Sequence, residues 1–141
     1  MKKKFLMVMA LSCGTMALMA QDLKLKDVPA VVKAAQAKKY PAATKVTWEK
    51  EKGNYEANWG GKSGENNSAV FTPAGEFVEI VNAIPVSALP KAVAPYIKEH
   101  YKSPIKEAGK VTDAKGVLTY EAETKGKDLI FDESGKFIKA D

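Results

Sequence analysis

Lys45-Val46-Thr47 leads to Tyr55-Glu56-Ala57, and both groups return as Lys110-Val111-Thr112 and Tyr120-Glu121-Ala122, sixty-five positions later. Upstream of them, Val28-Pro29 and Tyr40 return as Leu89-Pro90 and Tyr101 after sixty-one positions. Downstream, Ala69-Val70-Phe71, Gly75 and Phe77-Val78 return as Leu129-Ile130-Phe131, Gly135 and Phe137-Ile138 after sixty. The blocks keep their order. The changes of spacing, including four residues gained by the second copy between Tyr101 and Lys110, fall between the blocks, where turns belong. This pattern predicts a duplicated unit.

Each copy is expected to open with a helix. In the first, Asp27 reads as an N-cap, Pro29 as a first-turn proline, and Val28, Val31, Val32 and Ala35 as a stripe at helical spacing ended by Pro41. In the second, Ser87 reads as the cap and Leu89, Val93, Tyr96, Ile97 and Tyr101 as the stripe. Pro95 falls inside that stripe and predicts a kink or a break into two short helices.

After each helix the period changes to two. Tyr55, Ala57 and Trp59 alternate with Glu56 and Asn58, and Leu118, Tyr120 and Ala122 alternate with Thr119, Glu121 and Glu123, as in strands with one buried and one wet face. Turns are marked at Lys52-Gly53-Asn54, Gly60 to Asn67, Pro73-Ala74-Gly75, Ala114-Lys115-Gly116, Lys125-Gly126 and Glu133-Ser134-Gly135. Connections this short require antiparallel neighbours. The expected class is therefore α+β: a tandem α-β-β-β-β unit with antiparallel sheet and the helices packed on one face, divided as 21–83 and 84–141 after a leader, 1–20. A unit of fewer than about sixty residues buries little surface alone, which favours packing of the halves on each other. Phe77 to Val81, apolar at both alternations, is expected near their junction.

The chain has 141 residues, 45% hydrophobic and 28% charged, which suits one folded domain or two small ones. Its net charge of +5 shrinks to +2 past residue 20, where 19 Lys face 17 Asp and Glu, and it contains no Arg. Nucleic-acid recognition calls for a clustered basic face, usually with Arg, so that class is excluded.

Met1-Lys2-Lys3-Lys4 followed by the sixteen residues Phe5 to Ala20 reads as a signal peptide, cleaved after Ala20 or Ala17, and as too short for a permanent membrane span. Ala10-Leu11-Ser12-Cys13 offers an out-of-register lipoprotein site as the alternative. Cys13 is the only cysteine, so the exported domain has no disulfide, thiol nucleophile or Cys-ligated metal. Its own core has to hold it together.

Chemistry-bearing motifs are sparse. Gly60-Gly61-Lys62-Ser63-Gly64 lacks both the spacing and the following helix of a phosphate-binding loop, and reads as a hairpin connection. His100 is the only histidine and reads as structural. Ser63, Ser68, Ser87, Ser103 and Ser134 all fall at expected turns or helix ends, and none sits in a nucleophile elbow. Glu121 with Glu123, and Asp132 with Glu133, read as solvated pairs. No enzyme activity, cofactor or metal is expected. Among Tyr40, Trp48, Tyr55, Trp59, Phe71 and Phe77, Trp59 is expected to be the most exposed; Trp59, Lys62, Asn66 and Asn67 form the candidate binding surface.

The tandem of Leu/Val-Pro, a helix ending in Tyr, Tyr-Glu-Ala and Phe-x-x-x-Gly-x-Phe resembles the PepSY-like, beta-lactamase-inhibitor-like domain of exported bacterial proteins over Val28 to Ile138. The resemblance implies a helix-on-sheet tandem fold and a periplasmic address, and carries over no inhibitory contact residue. The functional expectation is a non-catalytic periplasmic module that binds a protein or peptide of the cell envelope through a sheet face, an edge or the Gly60 to Asn67 loop. The alternative is a small-ligand or glycan binder using exposed aromatics.

Overall fold

Val32 and Val93 are each completely buried, and around each of them one helix closes over one antiparallel sheet. The computed structural model describes residues 21–141; the leader, its cleavage site and Cys13 lie outside the described residues. The fold is α+β, with nine antiparallel strands and two α-helices. It divides after Ile80 into two compact units, the second being Val81–Asp141.

The first unit runs β1 (Gln21–Leu23), α1 (Ala30–Lys39), β2 (Thr47–Glu51), β3 (Asn54–Trp59) and β4 (Asn67–Phe71), and then enters β5 (Phe77–Ile84). Strands β1 to β4 pair antiparallel in sequence order, with Leu23 opposite Trp48, Trp48 opposite Ala57, and Ala57 opposite Ala69. These residues share the face that α1 covers, where Val28 and Val32 meet Trp48, Tyr55, Ala57, Ala69 and Phe71. Strand β1 was not legible in the sequence because three residues show no period.

The second unit contains α2 (Val93–His100), β6 (Glu107–Asp113), β7 (Leu118–Thr124), β8 (Lys127–Asp132) and β9 (Phe137–Ala140), again paired in sequence order. Its core joins Leu89, Val93 and Ile97 to Ala108, Ala122, Leu129 and Phe131, with Tyr96, Tyr101, Tyr120 and Phe137 packed around them. The whole expected stripe of α2 thus faces the core.

The helix starts differ from expectation. Asp27 closes a 3-10 turn, Leu25–Asp27, and Pro29 itself is the N-cap of α1, so Asp27 caps nothing. Val31 turns outward at 52% exposure, and Gln36 takes a buried place on the inner face instead. Ser87 lies in another 3-10 turn, Val86–Ala88, and α2 begins only after Ala92. Pro95 consequently occupies the first turn of α2, where its missing N–H would have no intrahelical partner, and α2 is one helix of eight residues.

The β4–β5 and β8–β9 connections share a hydrogen-bond pattern. The Thr72 N–H donates to the Glu76 carbonyl and the Gly75 N–H to the Thr72 carbonyl, both at 2.9 Å; the Asp132 N–H donates to Lys136 and the Gly135 N–H to Asp132, at 2.9 and 3.0 Å. Asp132 Oδ1 also accepts from the Ser134 hydroxyl at 2.7 Å and from the Ser134 and Lys136 N–H groups at 2.9 Å. The Ser134 hydroxyl, followed by the Lys136 N–H, holds the Asp132 carboxyl below the usual carboxylate range. Asp132 therefore organises a turn; it is not half of an acid pair.

Gly135 has φ +88° and lies against the start of α2, where a Cβ would stand 3.0 Å from Pro90 Cβ and 3.2 Å from Ala92 Cβ. Gly75, at φ +82°, meets the Val31 carbonyl in the same way. Gly135→Ala adds left-handed backbone strain to overpacking and is expected to cost about 1–3 kcal/mol. A urea midpoint unchanged from wild type would refute that reading of the turn.

Candidate functional site

The sheet face away from α1 carries Asp22, Thr47, Glu49, Glu51, Asn54, Glu56, Asn58, Ser68 and Val70, aligned through the pairs Asp22–Glu49, Glu49–Glu56 and Asn58–Ser68. The alternation predicted a wet face here, yet Glu51, Glu56, Asn58 and Ser68 are all buried, Glu56 at 2% exposure. Alternation reports polarity and not exposure, and several of these polar groups hydrogen-bond one another. The Ser68 hydroxyl donates to Asn58 Oδ1 at 2.5 Å, and Asn58 and Glu51 both hydrogen-bond Glu56. Ser68 accordingly lies inside β4 and at no turn.

Burial pushes the Glu56 carboxyl up to about 8; Glu51 and Glu49 add like-charge repulsion, and the Asn58 hydrogen bond opposes them. In the second unit, Glu107, Glu121, Glu123 and Asp128 share the face away from α2. Glu121 is 1% exposed, so the expected solvated pair with Glu123 does not exist.

At the β1 edge the acidic face opens into a cleft of about 400 Å³. Its lining comes from Asp22, Leu23 and Leu25, from Val46 to Glu49, and from Ser63, Gly64 and Glu65. Among the described residues the acidic Asp22, Glu49 and Glu65 and the apolar Leu25 line it, while the Leu23 and Trp48 side chains turn to the α1 side. The Glu65 N–H donates to Ser63 Oγ at 3.2 Å, which folds the loop tip. Sequence reasoning missed Asp22, Glu49 and Glu65 because the three are distant along the chain and belong to no motif.

The four candidate residues are arranged around this loop. Trp59 is half-buried, with its ring 4.9 Å from that of Tyr40. Asn67 Nδ2 donates to the Trp59 carbonyl at 3.2 Å across the loop base, and the Asn66 N–H donates to the Gly60 carbonyl at 3.2 Å. Lys62 is exposed in the same loop and does not line the cleft. Trp48, Tyr55 and Phe71 are buried, while Tyr40 and Phe77 pack with Trp59 on the core. Three of these aromatics are therefore interior, and Tyr40, Trp59 and Phe77 form a half-buried cluster beside them.

His100 stacks on Tyr96 at 4.2 Å and lies 3.9 Å from Glu99, half-exposed at the end of α2. Among the described residues no group of three or more His, Cys, Asp or Glu side chains could hold a metal ion. No helix among them is long and apolar enough to cross a membrane.

A family model described as "Putative beta-lactamase-inhibitor-like, PepSY-like" matches residues 59–139. No curated protein matches the chain. Among solved structures, a DUF2874 family protein of Bacteroides uniformis is 21% identical with a TM-score of 0.66, covering 80% of this chain and 88% of its own. A Bacteroides eggerthii protein described as a "putative periplasmic" protein is 19% identical with a TM-score of 0.64, covering 81% and 88%. A BLIP-like protein of Bacteroides fragilis is 19% identical with a TM-score of 0.60, covering 80% and 84%. At these identities the structures establish a shared fold. The match of the family model extends from the end of β3 to β9, more than half of the sequence, and the chain belongs to the PepSY-like, beta-lactamase-inhibitor-like family.

Proposed function

We propose that the protein is a non-catalytic binding module of the bacterial periplasm that holds a basic, extended segment of a protein or peptide in the cleft at the β1 edge. One observation carries the reading: among the described residues, Asp22, Glu49 and Glu65 come together in a cleft beside β1, the end strand of the sheet. A free strand edge offers backbone hydrogen bonds to an added strand, and the carboxylates select its side chains. Trp59, Asn66 and Asn67 hold the loop that supplies Ser63 to Glu65, so the binding surface extends to its exposed Lys62. The inhibitor-like description of the family, and a BLIP-like structural neighbour, support one protein occupying the surface of another as the type of activity.

The lysine-led start and apolar run of residues 1–20 support export with removal of the leader after Ala20 or Ala17, and the periplasmic description of a structural neighbour supports the address. Duplication is supported by core positions that keep the repeat spacings: Val28 and Leu89, Val32 and Val93, Ala57 and Ala122, Ala69 and Leu129, Phe71 and Phe131. The buried Glu56 and Glu121 keep them too.

The test is titration of the leaderless chain with a peptide of alternating lysine and valine, followed by amide shifts. Binding is expected to shift Leu23, Trp48 and Glu65 first, to weaken with salt, and to fall at least tenfold in a Glu49→Lys, Glu65→Lys variant. Equal binding of a glutamate–valine peptide, or shifts confined to other residues, would discard the reading.

A further inference from the structure

The second unit carries a feature that neither the acidic cleft nor the family description accounts for. From Tyr40 to Lys45 the first copy spans five positions; from Tyr101 to Lys110 the second spans nine. Residues Lys102, Ser103, Pro104 and Ile105 of that longer connection line a groove of about 580 Å³ together with Val86, Ala94, Ile97 and Lys98. The connection is tied down at both ends: the Lys125 N–H donates to Ser103 Oγ at 3.4 Å and the Lys106 N–H to the Glu123 carbonyl at 2.8 Å.

The groove is lined mainly by apolar groups, with Lys98 from α2 and Lys102 just past its end as the charged residues. Neither ammonium has a carboxylate partner among the described residues, and no carboxylate lines the groove. Lys102 is also strained. Its φ is +49° where α2 ends, with its N–H on the Ile97 carbonyl at 3.1 Å. Glycine is the usual residue at such a helix-terminating position, and a lysine there costs about 1 kcal/mol. Lys45 and Lys52 share this backbone, so the site is marked by its composition, two cations beside an apolar trough, which is the form of a headgroup site.

We propose that this groove binds a single-chain fatty carboxylate, with the carboxylate between Lys98 and Lys102 and the alkyl chain along Ala94, Ile97, Pro104 and Ile105. Charge complementarity sets the headgroup, and the volume lies within the usual range for small-ligand pockets. No strand lines the groove, so it offers no ladder of backbone groups to an extended peptide. The inference does not depend on the cleft of the first unit.

The experiment is calorimetric titration of the leaderless chain with decanoate below its micellar concentration, alongside decyltrimethylammonium and an aspartate–leucine peptide. Saturable binding of decanoate alone is expected. Lys98→Gln and Lys102→Gly should each weaken it about tenfold, and Ala94→Trp, which fills the trough, should abolish it. Lys102→Gly relieves the strained backbone, so its thermal midpoint should stay the same or rise; loss of binding then cannot be ascribed to unfolding. No saturable binding, equal binding of the cationic amphiphile, tighter binding of the peptide, or unchanged affinity in both lysine variants would overturn the proposal. Lysine–valine peptide binding at Glu49 and Glu65 should survive all three variants, which separates failure here from failure of the cleft.

Discussion

Phe131→Ala is expected to lower stability by about 3–5 kcal/mol, against a total of about 5–15 for a typical domain. Phe131 is fully buried in β8, and its ring meets Tyr96 edge-on at 5.7 Å and Phe137 at 5.7 Å. Tyr96 stacks in turn on Phe137 at 5.0 Å, so one phenyl ring spaces the helix from the strand beside it. Truncation removes its burial and leaves a cavity that neighbours on two different elements cannot close together. Ile138→Ala in the neighbouring strand is the control: Ile138 is 51% exposed and its loss should be within about 0.5 kcal/mol. Urea unfolding followed by far-UV circular dichroism and by the amide signals of the second unit measures both. A Phe131→Ala midpoint close to that of the control would mean that this aromatic cluster does not hold the second unit together.

Glu56→Gln is expected to remove the pH dependence of stability that Glu56 contributes to the acidic face. With burial and Glu51 lifting the carboxyl to about 8, the folded state holds a proton that the unfolded chain releases at the ordinary value of 4.5. Between those values the folded form binds more protons, so stability falls as pH rises. The contribution is fully present below about 4.5 and lost through about 8, at a limiting slope of about 1.4 kcal/mol per pH unit. Glutamine keeps the shape and the hydrogen-bonding capacity without the charge. The variant should therefore melt close to wild type at pH 4.5 and several degrees above it at pH 9. Parallel pH profiles for the two proteins would show that Glu56 does not titrate in this window.

This proton also bears on binding. A basic segment in the cleft would sit beside Glu49, one of the charges that lift Glu56, and would offset that repulsion. Occupancy of the cleft should therefore favour the ionised Glu56, and affinity for a cationic peptide should rise with pH through the same window.

Much of the architecture could be read directly from residue order. Core positions at fixed spacings, from Val28 and Leu89 to Phe77 and Phe137, announced two helices and their strands, because apolar periodicity states which side of an element must leave water. Short turns imposed the antiparallel order. Helix boundaries were less legible. Asp27 and Ser87 are good capping residues in isolation, but the 3-10 turns that contain them leave the capping positions to Pro29 and Ala92. Local propensity cannot weigh one turn against the next; only the fit of the helix onto its sheet decides.

The covalent chain determined on its own that residues 21–141 have no thiol, one imidazole and no arginine, and those limits exclude whole classes of chemistry without any geometry. Tertiary structure alone decided that Glu56 and Glu121 are buried, that Asp22, Glu49 and Glu65 meet at a sheet edge, and that the four extra residues after Tyr101 make a groove. The reason is one of range. Periodicity and composition are properties of neighbours along the chain, whereas burial, pKa and cleft geometry arise between residues that only folding brings together.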